Sequence, residues 1–279
     1  FDEQKTDALR LSEAMTLKNS ACGINFGGGK AALNLKGIQK TPELYQSYAE
    51  AVEFLKGDYL TAGDVNTFKE DLIECSKVTK YVYGINVETS APTSIGIFNA
   101  IKSTNNFING NNEIKGIHVA ISGVGKVGGK LAKLLVESGA RITAASINLE
   151  LIKELKKEIK IMEVSPENLY KTNCDIISPC ALGGVINTSN RNQLKCKGIV
   201  GAANNQLDNS ETGEWLLKNN IVYSPDYLVN SGGVIAIASE INGTENLLEK
   251  QLEKIGDRLK LVLTESKKNN ESTNSVAKR

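Results

Sequence analysis

The stretch Gly123-Val124-Gly125-Lys126-Val127-Gly128 constrains this chain more than any other. It follows Ile117-His118-Val119-Ala120-Ile121, a near-continuous apolar run of the kind needed by a parallel strand covered on both faces. It also opens a helical pattern over 126–137 that stops at Ser138-Gly139. Gly123 would permit the tight turn, Gly125 the approach of a pyrophosphate to the backbone, and Gly128 close packing of helix on strand. The amides at the helix start then face the phosphates, where the helix dipole favours negative charge. The six-residue spacing alone is a weak signal, and the strand before it and helix after it give it meaning. The alternative is a tight strand-to-helix turn that binds nothing.

The rest of the chain fits that frame. Beyond residue 88 further strands are expected at 142–147, 160–164, 174–178, 198–202 and 221–224, alternating with helices. Such alternation predicts a doubly wound α/β sheet of Rossmann type. Before residue 88 the pattern is different. A helix is expected over 7–17, a short strand over 31–35, and a second helix at Thr41-Pro42-Glu43, where a capping Thr precedes Pro at the first helical position. Thr67-Phe68-Lys69-Glu70 reads as a capping box opening a third. A chain of 279 residues has room for two domains. The expected division is a substrate domain over 1–88, a dinucleotide-binding domain over 89–240 and a helical segment over 241–279 that packs back on the body, with a cleft between the domains. In that last segment Leu248, Leu252, Ile255, Leu259 and Val262 form an apolar stripe, and the polar tail from Lys267 is expected to fray.

Composition removes several functions. Lys and Arg total 33 against 32 Asp and Glu, so the net charge of +1 offers no electrostatic case for nucleic acid or an acidic membrane. No apolar run approaches the ~18 residues of a membrane span. The single histidine, His118, excludes multi-histidine metal sites, so no metal is expected. Acid–base work near neutral pH then falls to lysine, a carboxylate or a cofactor. Cys22, Cys75, Cys174, Cys180 and Cys196 are odd in number and form no C-x-x-C pair, which predicts reduced thiols in a reducing compartment, the cytoplasm.

Lys30 ends the run Gly27-Gly28-Gly29, and Lys18 precedes it in Met15-Thr16-Leu17-Lys18. Glycines let substrate and backbone come close and let a lysine be enclosed. A lysine desolvated near another cation can act as a base near neutral pH. Asp64 is a candidate carboxylate partner. Spacing alone does not establish the trio.

Taken in order, Asp7 to Ser12, Met15 to Asn19, Gly27 to Lys30, Asp64-Val65, Gly123 to Gly128, Ser178 to Gly184, Asn204 to Leu207, Ser224 to Tyr227 and Asn230 to Gly233 resemble the glutamate, leucine, phenylalanine and valine dehydrogenase family. The resemblance runs over almost the whole chain and is nearest the leucine and tryptophan dehydrogenases. It implies NAD(P)-dependent oxidative deamination of a hydrophobic L-amino acid to its 2-oxo acid and ammonium, by a homo-oligomer. It implies that Lys18 holds the substrate carboxylate, Lys30 activates water and Asp64 exchanges protons with the amine. Asn204 and Asn205 would lie near nicotinamide and substrate. Met15, Val229 and Val234 would line the side-chain pocket, and Thr93 and Ala181 would meet the cofactor beside the glycine loop.

The chain departs from the family in three places. Ser146 stands where an acid is expected about 20 residues beyond the glycine loop to bind ribose hydroxyls. A serine does not repel a 2′-phosphate, so NADP is open beside NAD. The family's Gly-Gly segment ahead of the first helix, with strands used in dimer contacts, is expected to precede residue 1, leaving the substrate domain truncated at its front. Gly63 stands where some relatives carry a glutamate. The alternative reading is a non-catalytic nucleotide-binding paralogue or a truncated family member.

Overall fold

The computed structural model describes residues 2–64 and 66–279; Phe1 and Val65, the latter half of the Asp64-Val65 segment, lie outside the described residues. The chain folds as two units, one of residues 1–88 and 236–248, the other of 89–235 and 249–279.

The first unit contains α1 (Asp2–Ala21), α2 (Pro42–Phe54), β1 (Thr61–Ala62), α3 (Lys69–Ser76) and β2 (Val82–Tyr83). β1 and β2 pair in parallel. Their helices close over Tyr45, Ala49, Leu72, Cys75 and Val82. The Thr41 side chain accepts from the Leu44 N–H at 3.3 Å and Pro42 takes the first helical position, so α2 starts where its sequence signal lies. α3 starts one residue later than the Thr67 signal. The Thr67 N–H donates to the Asp64 carbonyl instead, and the Asp71 carboxylate accepts from the Phe68 N–H at 2.8 Å. No strand forms over 31–35. A strand needs a neighbour to take its backbone groups, and this stretch has none among the described residues; most of it is exposed.

The second unit is built on a six-stranded, fully parallel sheet. Its elements are α4 (Ser90–Asn109), β3 (His118–Ser122), α5 (Lys126–Glu137), β4 (Arg141–Ala145), α6 (Leu149–Glu158), β5 (Met162–Glu163), α7 (Pro166–Leu169), β6 (Ile176–Pro179), β7 (Gly198–Ile199), α8 (Ser210–Lys218), β8 (Val222–Tyr223), α9 (Asp226–Val229), the start of α10 (Gly232–Asn242), α11 (Leu248–Asn269) and α12 (Thr273–Ala277). The strand order is β5-β4-β3-β6-β7-β8. The chain therefore winds outward from β3 to β5, returns beside β3 at β6, and winds outward the other way. That reversal is the Rossmann arrangement, and its switch point lies between β3 and β6. Val119, Ala120 and Ile121 of β3 are fully buried, as their apolar run requires.

α11 packs on α4. Leu252, Ile255 and Leu259 of the expected stripe are buried, and Leu263 and Ser266 extend it. Gly256 is needed there, because a Cβ would come 2.8 Å from the Ser103 hydroxyl. The expectation that the tail frays from Lys267 is corrected. α11 runs on to Asn269, the Ser266 hydroxyl donates to the Glu271 carbonyl at 2.6 Å, and α12 follows with Thr273 and Val276 buried. The five cysteines form no disulfide. Burial pushes the thiols of Cys174 and Cys196 up to about 12. No described helix is long and apolar enough to cross a membrane.

Candidate active site

In the first unit the candidate residues gather around a glycine loop pinned against α1. The Asn19 side chain, buried at the end of α1, donates to the Gly27 carbonyl at 2.7 Å. Gly28 lies so close to α1 that a Cβ would run into the Ser12 carbonyl and the Thr16 backbone. Gly29 packs on the Tyr59 ring, which a Cβ would approach to 2.8 Å. So held, the loop delivers Lys30, whose ammonium donates to the Asp64 carboxylate just beyond β1. Lys30 is 24% exposed and Asp64 48%, so solvent reaches the pair. Lys18 and Met15 lie on α1, both half-buried. The loop carrying Asp64 is held by Lys40, which donates to the Asn66 carbonyl, pairs with Asp71 at 3.2 Å and sits 4.8 Å from the Phe68 ring centre.

In the second unit the candidates gather at the carboxyl ends of β3, β6 and β7, where open α/β sheets bind ligands beside a switch point. Gly123 has φ +89°, a conformation that side chains resist, and a Cβ there would come 2.7 Å from that of Ala181. A Cβ on Gly128 would run into the Gly123 carbonyl and lie 3.1 Å from the Cys180 Cβ. Gly125, the residue before α5, has open space where its Cβ would be, and no side chain caps the helix. The first amides of α5 are thus offered to an anion rather than consumed by a cap. These residues fit the pyrophosphate of a dinucleotide. Beyond β4 the Ser146 hydroxyl accepts from the Asn148 N–H at 3.1 Å, and no carboxylate occupies 146–148.

The loop after β6 and the loop after β7 are fastened together. Gly184 N–H donates to the Asn205 carbonyl at 2.7 Å, and a Cβ on Gly183 would come 2.5 Å from the Asn204 carbonyl. Asn204 and Asn205 are exposed on that loop, Asn205 with φ +51°. Thr93, on α4, donates from its hydroxyl to the Thr89 carbonyl at 2.8 Å and accepts from the Gly233 N–H at 3.1 Å. Val234 is half-buried, whereas Val229 has no exposed surface and is core. Thus Lys30 meets Asp64 in one unit, while Ala181, the glycine loop, Asn204 and Asn205 share one sheet edge in the other.

Sequence reasoning gave no role to the side chains that hold these loops: Asn19 behind Gly27, and Gln206, Asp226 and Asn230 behind Asn204. Their signal was present, since each lies in a segment that carries the resemblance, but a polar residue does not declare its partner. His118 is bonded through Nε2 to the Thr143 hydroxyl at 2.8 Å.

Comparison with known proteins gives the family and the fold. A Glutamate/Leucine/Phenylalanine/Valine dehydrogenase family model matches residues 145–277, and the model of that family's dimerisation domain matches residues 2–80. Phenylalanine dehydrogenase of Thermoactinomyces intermedius is 39% identical over 289 residues, covering 100% of this chain and 79% of that protein. The chain belongs to the Glu/Leu/Phe/Val dehydrogenase family. It is an amino-acid dehydrogenase, an oxidoreductase, and membership implies a nicotinamide cofactor. Leucine dehydrogenase of Geobacillus stearothermophilus is 36% identical over 100% of this chain and 78% of its own. The solved structure of L-tryptophan dehydrogenase from Nostoc punctiforme superposes with a TM-score of 0.89 at 36% identity, over 98% of this chain and 81% of that one. A hetero-hexameric glutamate dehydrogenase from Thermus thermophilus, 18% identical with a TM-score of 0.77, shares the fold.

Proposed function

We propose that this dehydrogenase oxidatively deaminates a hydrophobic L-amino acid. Amino acid, water and oxidised cofactor give 2-oxo acid, ammonium, reduced cofactor and a proton. The observation that carries the reading is the Lys30–Asp64 pair, held by a loop that three separate contacts press against α1 and Tyr59. An ion pair this exposed contributes only about 0–1 kcal/mol to stability, so the effort spent on placing it points to chemistry.

A nicotinamide held by the second unit would supply the hydride-accepting chemistry at Cα. Lys18 binds the substrate carboxylate and so aims Cα, a contribution through proximity. Transfer of the Lys30 proton to the Asp64 carboxylate it touches leaves a neutral amine that takes a proton from the water adding to the oxidised carbon, and Asp64 passes the transferred proton to the departing amine. Met15 and Val234 supply the apolar surroundings of the side chain, with Val229 buried in the core rather than lining the pocket, consistent with relatives named for phenylalanine, leucine and tryptophan. Gly123, Val124, Gly125, Lys126, Val127 and Gly128 hold the pyrophosphate, while Ala181, Thr93, Asn204 and Asn205 surround the nicotinamide end. The cofactor is NAD, with NADP accepted because Ser146 brings no charge against a 2′-phosphate. The match of residues 2–80 to a dimerisation domain supports a homo-oligomer, and five thiols outside any disulfide suit the cytoplasm.

The test is the absorbance of reduced nicotinamide with leucine, valine, phenylalanine, tryptophan and glutamate, each with NAD and with NADP. Turnover of an apolar amino acid and none of glutamate is expected. Glutamate as the best substrate, or no turnover of any apolar amino acid, overturns the reading.

A further inference from the structure

Both members of the Lys30–Asp64 pair rest on one short stretch of chain, 59–64. At its start the Tyr59 ring carries the glycine loop. Gly29 lies so close that a Cβ would come 2.8 Å from the ring, and Lys30 follows directly. At its end is Asp64, two residues beyond β1. Between them is Thr61, the first residue of β1. Thr61 is buried, and its N–H donates to the Tyr81 carbonyl at 2.9 Å.

Tyr48 reaches this stretch from α2. Its hydroxyl shares a hydrogen bond with the Thr61 hydroxyl at 2.8 Å. Its ring is half-buried and packs on the cluster that includes Tyr45, Ala49 and Leu72. Burial pushes the Tyr48 hydroxyl above its ordinary pKa, the bond to Thr61 opposes that, and the neighbouring Tyr59 hydroxyl adds to the rise. The phenol therefore stays neutral over the working range and acts as a support, not as an acid or base. A bond between two hydroxyls weakens steeply as they part. A rigid ring that ends in such a bond thus fixes how far the stretch stands from α2.

We propose that Tyr48 is a positioning residue for proton transfer: through Thr61 and Tyr59 it sets the place of the stretch that carries both Lys30 and Asp64. This rests on the proposed roles of that pair. Misplacement of reacting groups by about 1 Å costs about 10²-fold in rate. Tyr48→Phe keeps the ring and removes the oxygen, so the stretch loses its spacer while the core keeps its packing.

Turnover of the fastest apolar amino acid with NAD, compared in ordinary and heavy water on the whole chain, tests this. Tyr48→Phe is expected to lower kcat about 10-fold and to raise the solvent isotope effect on kcat, because proton transfer becomes the slower step. KM for the amino acid should hold, since Lys18 stands on α1, and NADH affinity should hold as well. Unchanged kcat overturns the proposal. So does a fall in kcat with an unchanged solvent isotope effect, which would mark a general loosening of the unit. Should Tyr48→Phe unfold, Thr61→Val and Thr61→Ser are read in its place. Valine copies the shape of threonine without its hydroxyl and should repeat the loss, whereas serine keeps the hydroxyl and should keep most of kcat. Equal loss in the two overturns the proposal. Lys30→Ala separates the two levels. If it turns over normally, the proton-transfer reading fails, and the inference with it. If it loses turnover while Tyr48→Phe and Thr61→Val keep theirs, the positioning inference alone fails.

Discussion

The two units build their candidate sites from different materials. In the second unit the site is mostly backbone: helix amides left uncapped at Gly125, a left-handed turn at Gly123, and loops at the ends of a six-stranded sheet. In the first unit the site is side chains, Lys18, Lys30 and Asp64, mounted on α1, on a loop and just beyond a two-residue strand. A nucleotide phosphate asks for donors at a fixed spacing, which backbone supplies whatever the side chains are. Proton transfer asks for particular ionisable groups, and the backbone has none. Damage to the first unit should therefore cost turnover and spare nucleotide affinity, and damage to the glycine turn should lower both.

The largest expected effect is that of Lys30→Ala. A base that transfers a proton in the reaction is worth about 10²–10⁴-fold in rate, so kcat should fall by that factor while NADH affinity by titration stays unchanged. Normal turnover would show that the base lies elsewhere. Next is Gly128→Ala, whose Cβ is driven into the Gly123 carbonyl and toward Cys180. Overpacking of this kind costs about 1–3 kcal/mol, read by denaturant titration, and NADH affinity should drop with it. The first unit offers a matched pair of glycines. Gly28→Ala collides with the Ser12 carbonyl and should displace Lys30, lowering kcat, whereas Gly27 has open space at its Cβ position and Gly27→Ala should change nothing. Equal effects of the two would deny that the loop is positioned by contact with α1.

What was legible in the sequence follows the same division. α5 spans the predicted 126–137, because strand, glycine turn and helix are encoded within one short stretch. Each predicted strand after residue 88 is found, though β5, β7 and β8 shrink to two residues, since a ladder persists only while its neighbour runs alongside. The strand expected over 31–35 fails for the converse reason: its residues suit a strand but no partner comes. The start of α3 moved because Thr67 and Asp71 compete to cap it, and the loop geometry at Asp64 decides between them. Lys30 and Asp64 could be named as candidates, but their pairing across 34 residues could not be read from spacing. The bond from Asn230 to Asn204, across 26 residues, could not be read from spacing either.

A smaller effect is confined to the first unit. Thr41→Ala removes the side-chain acceptor at the start of α2 and should cost about 1 kcal/mol in thermal or denaturant unfolding, with NADH affinity unchanged. A change in affinity would mean that the second unit feels the cap.

The smallest effect concerns pH and lies in the second unit. His118 is half-buried in β3, and burial holds its imidazole below the usual 6.5, with the positive Arg141 adding to the shift and Asp175 opposing it. The unfolded chain takes up a proton as pH falls through 6.5, and the folded chain resists. Stability from this residue is therefore level above pH 6.5 and declines as pH falls from there toward the depressed folded value. Asp175 does not blur that window. Its carboxyl, bonded to the His118 N–H and to Lys197, lies below the ordinary 3.8, so its stabilisation is lost only on acidification through that lower range. His118→Gln keeps a polar partner for Thr143 without titrating. Melting temperatures of the two proteins compared from pH 8 to 5.5 should diverge only below 6.5, with the wild type losing more. Divergence in the opposite sense would mean that β3 stabilises the charged imidazole, and that the second unit, not the first, carries a cation favoured by its surroundings.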